Sequence, residues 1–255
     1  MGLITLLIGG LALAFVLYIP FPFVVKTWLR RKFLAEIRKS GYVCLTFDDG
    51  PCPEATPQIL ALLKQHGIQA TFFVVGEKVA KHPDLADKIA ADGHEIAEHS
   101  FSHSHPWKCN PLRSTIDLIK GGQALKHYQA YQSSIRFRPP YGKFNLFTLL
   151  YVWITRKQVA FWDIDPKDYR DYSGDGAALQ AINQLRPGSV ILLHDGRNGQ
   201  NSNTAQVTVA ATQMLLEAAV KSRLHFATIG EALSTGQKHA HNDSKISQTL
   251  GKSIQ

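Results

Sequence analysis

Cysteine is nearly absent: Cys44, Cys52 and Cys109 are the three in 255 residues. An odd number at no metal-ligand spacing excludes a disulfide framework. It favours a reduced, intracellular-facing domain, with Cys52–Cys109 the one pairing left open. No internal repeat is present. Charge is missing from Leu3 to Val25, and no basic residue precedes that apolar run as the start of a secretory signal would require. Ala12-Leu13-Ala14 resembles a cleavage site but lies inside the run, so an uncleaved anchor is the expectation. The net charge of +8 and pI of about 9.4 raise the question of nucleic acid. No basic helix interleaved with aromatics supports it, so no nucleic-acid partner is expected.

What is there begins with that anchor. Twenty-three residues at about 1.5 Å each reach roughly 34 Å, enough for a hydrocarbon core. Pro20 and Pro22 are expected to end the regular helix, leaving Leu3 to Ile19. Phe21, Phe23 and Trp28 suit an interfacial belt, and Lys26, Arg30, Arg31 and Lys32 suit membrane lipid headgroups. Because the positive charge follows the anchor, the positive-inside rule places the body of this single-pass protein in the cytoplasm; an outward-facing body is the alternative. The expected division is a membrane anchor over 1–25, a basic juxtamembrane linker over 26–40, a folded domain over 41–233 and a polar, aperiodic, disordered tail over 234–255.

Within the domain, strand patterns alternate with helical ones. Strands are predicted at 42–45, 70–75, 94–97, 135–137, 159–163, 189–194 and 224–228. Helices are predicted from Thr56-Pro57, with Thr56 as the cap, to a stop at Gly67; up to Asp92 with a break at His82-Pro83; over 110–128, weakened at Gly121-Gly122; and over 145–155, 177–185 and 205–221. Residues 171–175 read as a loop. Such alternation means parallel strands with helices outside. About seven units predict a closed or nearly closed (β/α) barrel, with chemistry at the C-terminal strand ends. Asp48-Asp49, His99, Arg138, Asp163 to Asp168 and His194 all fall there.

Asp48 and Asp49 repel each other unless a counter-charge is bound, and a cation is the simple one. An isolated Asp-Asp-Gly would more often be a solvated turn. A regular strand sends the two carboxylates to opposite faces, so the chain is expected to bend at Gly50-Pro51. His99 and His103, four apart, face one way on a helical turn. Two imidazoles and one carboxylate leave positions open for water and substrate, the pattern of a catalytic metal site. His105 competes with His103 for that place.

Thr46-Phe47-Asp48-Asp49-Gly50, His99-Ser100-Phe101-Ser102-His103, Arg138-Pro139-Pro140-Tyr141, Asp168-Tyr169 and Leu192-Leu193-His194 together resemble the five ordered motifs of the NodB-like polysaccharide deacetylases, the fourth carbohydrate esterase family. The resemblance covers roughly residues 42–232. It implies a deformed (β/α) barrel, the NodB homology domain, that hydrolyses the acetamide of an N-acetylated saccharide. Asp49, His99 and His103 would hold a divalent metal, commonly zinc. Asp48 would be the general base, kept ionised and oriented by Arg138. His194 would be the general acid, supported by Asp168. The Tyr141 backbone N–H would bind the oxyanion, and Leu192 would line the acetyl pocket. Tyr169 stands where the family usually has Trp, and Glu98 where it usually has Asn, an extra carboxylate beside the metal. Trp107 suits either a sugar ring or a buried wedge. Residues 146–154 are apolar enough to be buried or to lie on lipid, which together with the anchor suggests a lipid-linked saccharide. Two rivals use the same residues: an O-acetyl esterase, and a catalytically inactive membrane-tethered sugar-binding module. A third, a basic membrane-surface adaptor, leaves the polar strand ends unexplained.

Overall fold

The computed structural model describes residues 2–18, 20–130, 136–169, 174–196 and 204–236. Ile19, the first residue of the 135–137 strand, most of the 171–175 loop and nearly all of the tail lie outside them. Helix α1 spans Gly2–Tyr18 and α2 spans Pro20–Ser40. The barrel follows as β1 (Cys44–Asp48), α3 (Thr56–His66), β2 (Thr71–Val74), α4 (Gly76–Lys81), α5 (Pro83–Ala91), β3 (Glu95–Glu98), α6 (Pro111–Ala124), α7 (Leu146–Ile154), α8 (Gly174–Ile182), β4 (Val190–His194) and α9 (Thr204–Lys221).

The four strands are parallel in the order β3-β2-β1-β4. Single parallel bridges carry the pairing onward: Glu98 to Phe137, Phe137 to Val159, and Ile164 to Ile191 of β4. That closes the ring, and a bridge from Val43 to Phe226 adds a seventh position at the foot of β1. Seven predicted strand positions are therefore present, three of them reduced to bridges. The deformation is this loss of regular ladder on one side. Alternate residues divide the interior: Val43, Leu45, Phe47, Ile191 and Leu193 pack in one apolar cluster, Cys44, Phe73, Phe137 and Val190 in another. On β4 this two-residue period leaves Leu192 and His194 on the same face as Val190.

The expectations about helix ends hold in part. Helix α1 stops at Tyr18, before the prolines as expected, and Pro20 and Pro22 also open the next helix: they sit in the first turn of α2, where a missing N–H costs nothing because that turn has no acceptor for it. Residues 26–40, expected as a linker, belong to α2, and Phe33, Leu34 and Ile37 are buried in the second cluster. Thr56 does not cap α3. Its hydroxyl accepts from the Cys52 N–H and donates to Asp195 Oδ2 at 2.6 Å. Residues 229–236 are helical, so the first positions of the expected tail are ordered.

Gly121 is not a weak point in α6. A Cβ there would lie 2.7 Å from the Ser100 carbonyl carbon, so the glycine lets the helix press on the loop that carries His99. Replacing Gly121 by Ala is expected to cost about 1–3 kcal/mol through overpacking, despite alanine's higher helix propensity. A thermal melt that rises instead would show that the loop yields.

Candidate active site

The strand ends carrying Asp48, Asp49, His99, Arg138, Asp168 and His194 meet at one mouth. Asp163, expected among them, does not, because its carboxylate accepts from the Val190 N–H at the start of β4 and pairs with Arg186 and Arg38. Asp48 and His194 are direct cross-strand neighbours at the ends of β1 and β4. The chain turns at Gly50–Pro51 as expected, where the peptide is cis, and the bend begins one residue earlier, at Asp49, whose φ of 72° is left-handed. Ser100, His103 and Tyr141 also have φ between 55° and 63°. Such backbone is costly for non-glycine residues and persists only where the surroundings enforce it.

His99 and His103 are not on a helical turn. They belong to an irregular loop after β3, and the left-handed residues Ser100 and His103 bring their rings to 4.9 Å. Ser100 Oγ accepts from the His103 N–H at 3.0 Å. Asp117 on α6 accepts from the Ser102 N–H and hydroxyl at 2.9 and 2.7 Å. The loop is thus held by its own side chains and by α6.

Asp49 Oδ1 lies 3.4 Å from His99 Nε2 and 3.1 Å from His103 Nε2. Among the described residues these form the one group of three or more with metal-ligand geometry. Two observations test whether they fit a cation. Asp49 Oδ1 is buried with no hydrogen-bond partner, a costly state that a metal relieves. Tetrahedral ligands about 2.1 Å from zinc stand about 3.4 Å apart, close to the spacing here. His99 Nδ1 is 2.8 Å from the Arg138 carbonyl oxygen, to which it donates, leaving Nε2 as the free lone pair. The residues fit. Burial opposes ionisation of Asp49, but the neighbouring His99 and His103 imidazoles outweigh it and hold the carboxyl well below its usual range. Burial takes the His103 imidazole down to about 4, the neutral form a metal requires.

Arg138 is fully buried. Its Nη1 donates to Asp48 Oδ1 at 2.6 Å and to Thr46 Oγ1 at 2.8 Å, and Nη2 donates to the Phe161 carbonyl at 3.2 Å. Its guanidinium lies 3.9 Å from the Phe73 ring centroid. Asp48 Oδ2 is turned towards His99, 3.6 Å from Nε2. Across the mouth, His194 Nδ1 is 2.8 Å from Asp168 Oδ1. Asp168 Oδ2 accepts from the His194 backbone N–H and from Thr208 Oγ1, each at 2.8 Å. Burial would lower the His194 imidazole, yet the Asp168 carboxylate outweighs it and pushes it up to about 10.

Other residues occupy less committed places. Tyr141 is half exposed and its ring lies between those of His103 and His105, 4.6 and 4.5 Å away, so His105 abuts the site without joining the metal group. Leu192 is buried below His194. Tyr169 sets its ring against His194 at 5.2 Å. Glu98 is withdrawn from the metal group: it pairs with Lys157, and burial pushes its carboxyl up. Trp107 donates from its indole N–H to the Phe144 carbonyl, with Lys143 4.4 Å from its ring. The Cys52 thiol bonds Glu54, and all three cysteines are free.

Three groups went unnoticed in the sequence. Asp195 is buried, accepts from Thr56 and lies so close to Gly50 that no side chain fits at that position. Burial raises its carboxyl to about 7. Its position directly after His194 was the available signal. Lys78 Nζ donates to the Asp49 carbonyl at 2.7 Å, and Asp117 carries the histidine loop. Neither has a local pattern that marks it.

A family model for polysaccharide deacetylase matches residues 36–152. A chitooligosaccharide deacetylase of Bradyrhizobium sp. (strain ANU 289) is 31% identical over 194 residues, covering 74% of this chain and 89% of that one. A peptidoglycan-N-acetylglucosamine deacetylase of Bacillus cereus is 30% identical over 215 residues, covering 78% and 96%. Among solved structures, the Bc1960 peptidoglycan N-acetylglucosamine deacetylase in complex with a naphthalenyl N-hydroxybenzamide superposes with a TM-score of 0.65 at 32% identity, covering 74% of this chain and 86% of that one.

Proposed function

The chain belongs to the polysaccharide deacetylase family, and from that premise we propose that it hydrolyses the acetamide of an N-acetylated amino sugar, releasing acetate and a free amine. The observation that carries the reading is the unpartnered, buried Asp49 Oδ1 facing two imidazoles, with Asp48–Arg138 on one side and His194–Asp168 on the other. Asp49, His99 and His103 would hold the cation, and their oxygen and nitrogen donors suit zinc. When bound, such a cation activates water and polarises a carbonyl.

The chain's own residues supply the proton transfers. Asp48 uses Oδ1 to hold Arg138 and keeps Oδ2 towards the mouth, where it takes the proton of the attacking water. His194, its Nδ1 turned to Asp168, presents Nε2 to the departing nitrogen and protonates it as the C–N bond breaks. An amine leaves poorly as an anion, so this proton is essential. The Tyr141 backbone N–H is assigned to the oxyanion and Leu192 to the acetyl methyl. The test is acetate release from N-acetylglucosamine oligomers and from lipid-linked N-acetyl sugars, with and without a chelator. Release that ignores the chelator refutes the metal assignment; release only from O-acetyl esters turns the reading to the esterase.

His194 also sets a pH dependence. Its raised value stabilises the folded chain fully below the ordinary histidine value near 6.5, and that contribution is lost as pH rises through about 10. A cation beside Asp49 repels the imidazolium, so the loaded enzyme titrates lower than 10. Asp168→Asn is expected to bring the alkaline limb of kcat down towards pH 6.5 and to lower kcat. An unmoved limb would remove His194 as the acid.

Helix α1 supports a membrane anchor: none of its 17 residues is buried, and Gly2–Ser40 is the one stretch among the described residues long and apolar enough to span. With the basic flank after it, the barrel is assigned to the cytoplasmic face, where a lipid-linked saccharide is the substrate. Cys109, partly exposed, should then react with an impermeant maleimide only after the membrane is opened.

A further inference from the structure

Helices α2 and α7 run along one side of the barrel and leave between them an open groove of about 1170 Å³. Its walls include Phe21, Trp28, Leu150, Trp153 and Ile154. Trp153 is 75% exposed, Ile154 70% and Trp28 60%. Asn145 and Thr148 form a reciprocal capping box that fixes the start of α7, while Leu149 and Val152 anchor its inner face. The outward apolar face is therefore held in place, exposed and without a partner among the described residues. Isolated apolar residues on a surface need no explanation, but a continuous patch of this kind marks a binding surface.

The rim decides what binds. Lys32, Arg156 and Lys157 line the groove against one acidic residue, Glu36. Lys157 is engaged with Glu98, whereas Lys32 and Arg156 are exposed, and Lys32 sits 5.6 Å over the Trp28 ring. Tryptophans flanked by cations, with aliphatic groups between them, are the composition of a surface that sits at a bilayer's headgroup level. A second copy fits poorly, because a two-fold contact would set two cationic rims against each other. Continuity gives the second argument. Helix α2, one wall of the groove, follows directly on α1, whose apolar side chains are all exposed. A membrane that receives α1 brings the start of α2 to its headgroups.

We propose that the α2–α7 groove seats on an anionic bilayer, so that the barrel lies against the membrane rather than hanging from a tether. This rests on the anchor reading of α1, and the experiment separates the two. In the full chain with Cys52 and Cys109 replaced by Ser, and the fully buried Cys44 left in place, one accessible cysteine is introduced as Leu11→Cys in α1, Ile154→Cys in the groove or Lys88→Cys on α5. Each is labelled with an environment-sensitive fluorophore and reconstituted into vesicles of brominated phosphatidylcholine and phosphatidylglycerol in equal parts. Strong quenching is expected at positions 11 and 154 and little at 88. Quenching at 11 without 154 overturns the groove and leaves the anchor standing. Quenching at neither removes both. Quenching at 154 without 11 keeps the groove and removes the anchor. Equal quenching at 154 and 88, or label proximity between copies in place of quenching at 154, overturns the groove. Lys32→Glu combined with Arg156→Glu should abolish quenching at 154 and spare it at 11; if 154 stays quenched, the anionic assignment is wrong.

Discussion

Asp48→Asn should leave the metal content of the purified protein near that of the parent and lower kcat by about 10²–10⁴, the usual contribution of a general base. Asparagine keeps the shape of aspartate and its amide oxygen can still accept from Arg138, so the site geometry is retained, although the buried guanidinium loses its counter-charge and the variant should melt lower than the parent. What it loses is the capacity to take a proton at Oδ2, the oxygen directed at His99 rather than at the guanidinium. His99→Ala should behave differently. It removes one of three donors, and with it the ring whose Nδ1 holds the Arg138 carbonyl, so metal and turnover should fall together. Metal analysis of both variants, alongside acetate release, separates the two roles. An Asp48→Asn enzyme that turns over normally sinks the base assignment; a His99→Ala enzyme that keeps its metal sinks the ligand assignment.

The second large effect is on stability. Arg138→Met removes a fully buried cation whose partner, Asp48, is 3% exposed. Breaking a buried ion pair from one side leaves a charge with neither water nor a partner, which costs about 3–5 kcal/mol. For a domain of this size that is roughly 6–20 °C in melting temperature. The guanidinium also donates to Thr46 and to the Phe161 carbonyl, so both lose a donor as well. Methionine fills much of the arginine stem against Phe73, which keeps the cavity small. Adding Asp48→Asn to Arg138→Met should recover part of the loss, because the stranded charge is then gone and the two substitutions share one interaction. A double variant that melts at the sum of the single shifts would mean that the pair is not coupled, and that Arg138 acts through packing alone.

The contrast between these residues shows how far local pattern carries. The barrel was legible because alternation of apolar strands and amphipathic helices is local information, and parallel pairing follows from it. So was the placing of Asp48, His99, Arg138 and His194, since each stands where a strand pattern stops. Several of the expectations that changed concerned backbone direction. Asp49 turns back through its own left-handed φ as well as through the cis Gly50–Pro51 peptide after it. His99 and His103 converge in a loop, not on a helix. Pro20 and Pro22 stand where α1 has ended, as expected, and also open α2.

Residue types and their spacing were thus enough to single out Asp49, His99 and His103, with Asp48–Arg138 and His194–Asp168 beside them, as groups that converge, because strand ends are visible in the chain. Which oxygen of Asp48 is free, which of the three nearby histidines stays out of the metal group, where Glu98 finds its cation, and what lies exposed along α2 and α7 follow from packing between segments far apart in sequence. Asp117, Lys78 and Asp195 owe their roles to partners 15, 29 and 139 positions away, and no local pattern encodes a contact at such separations.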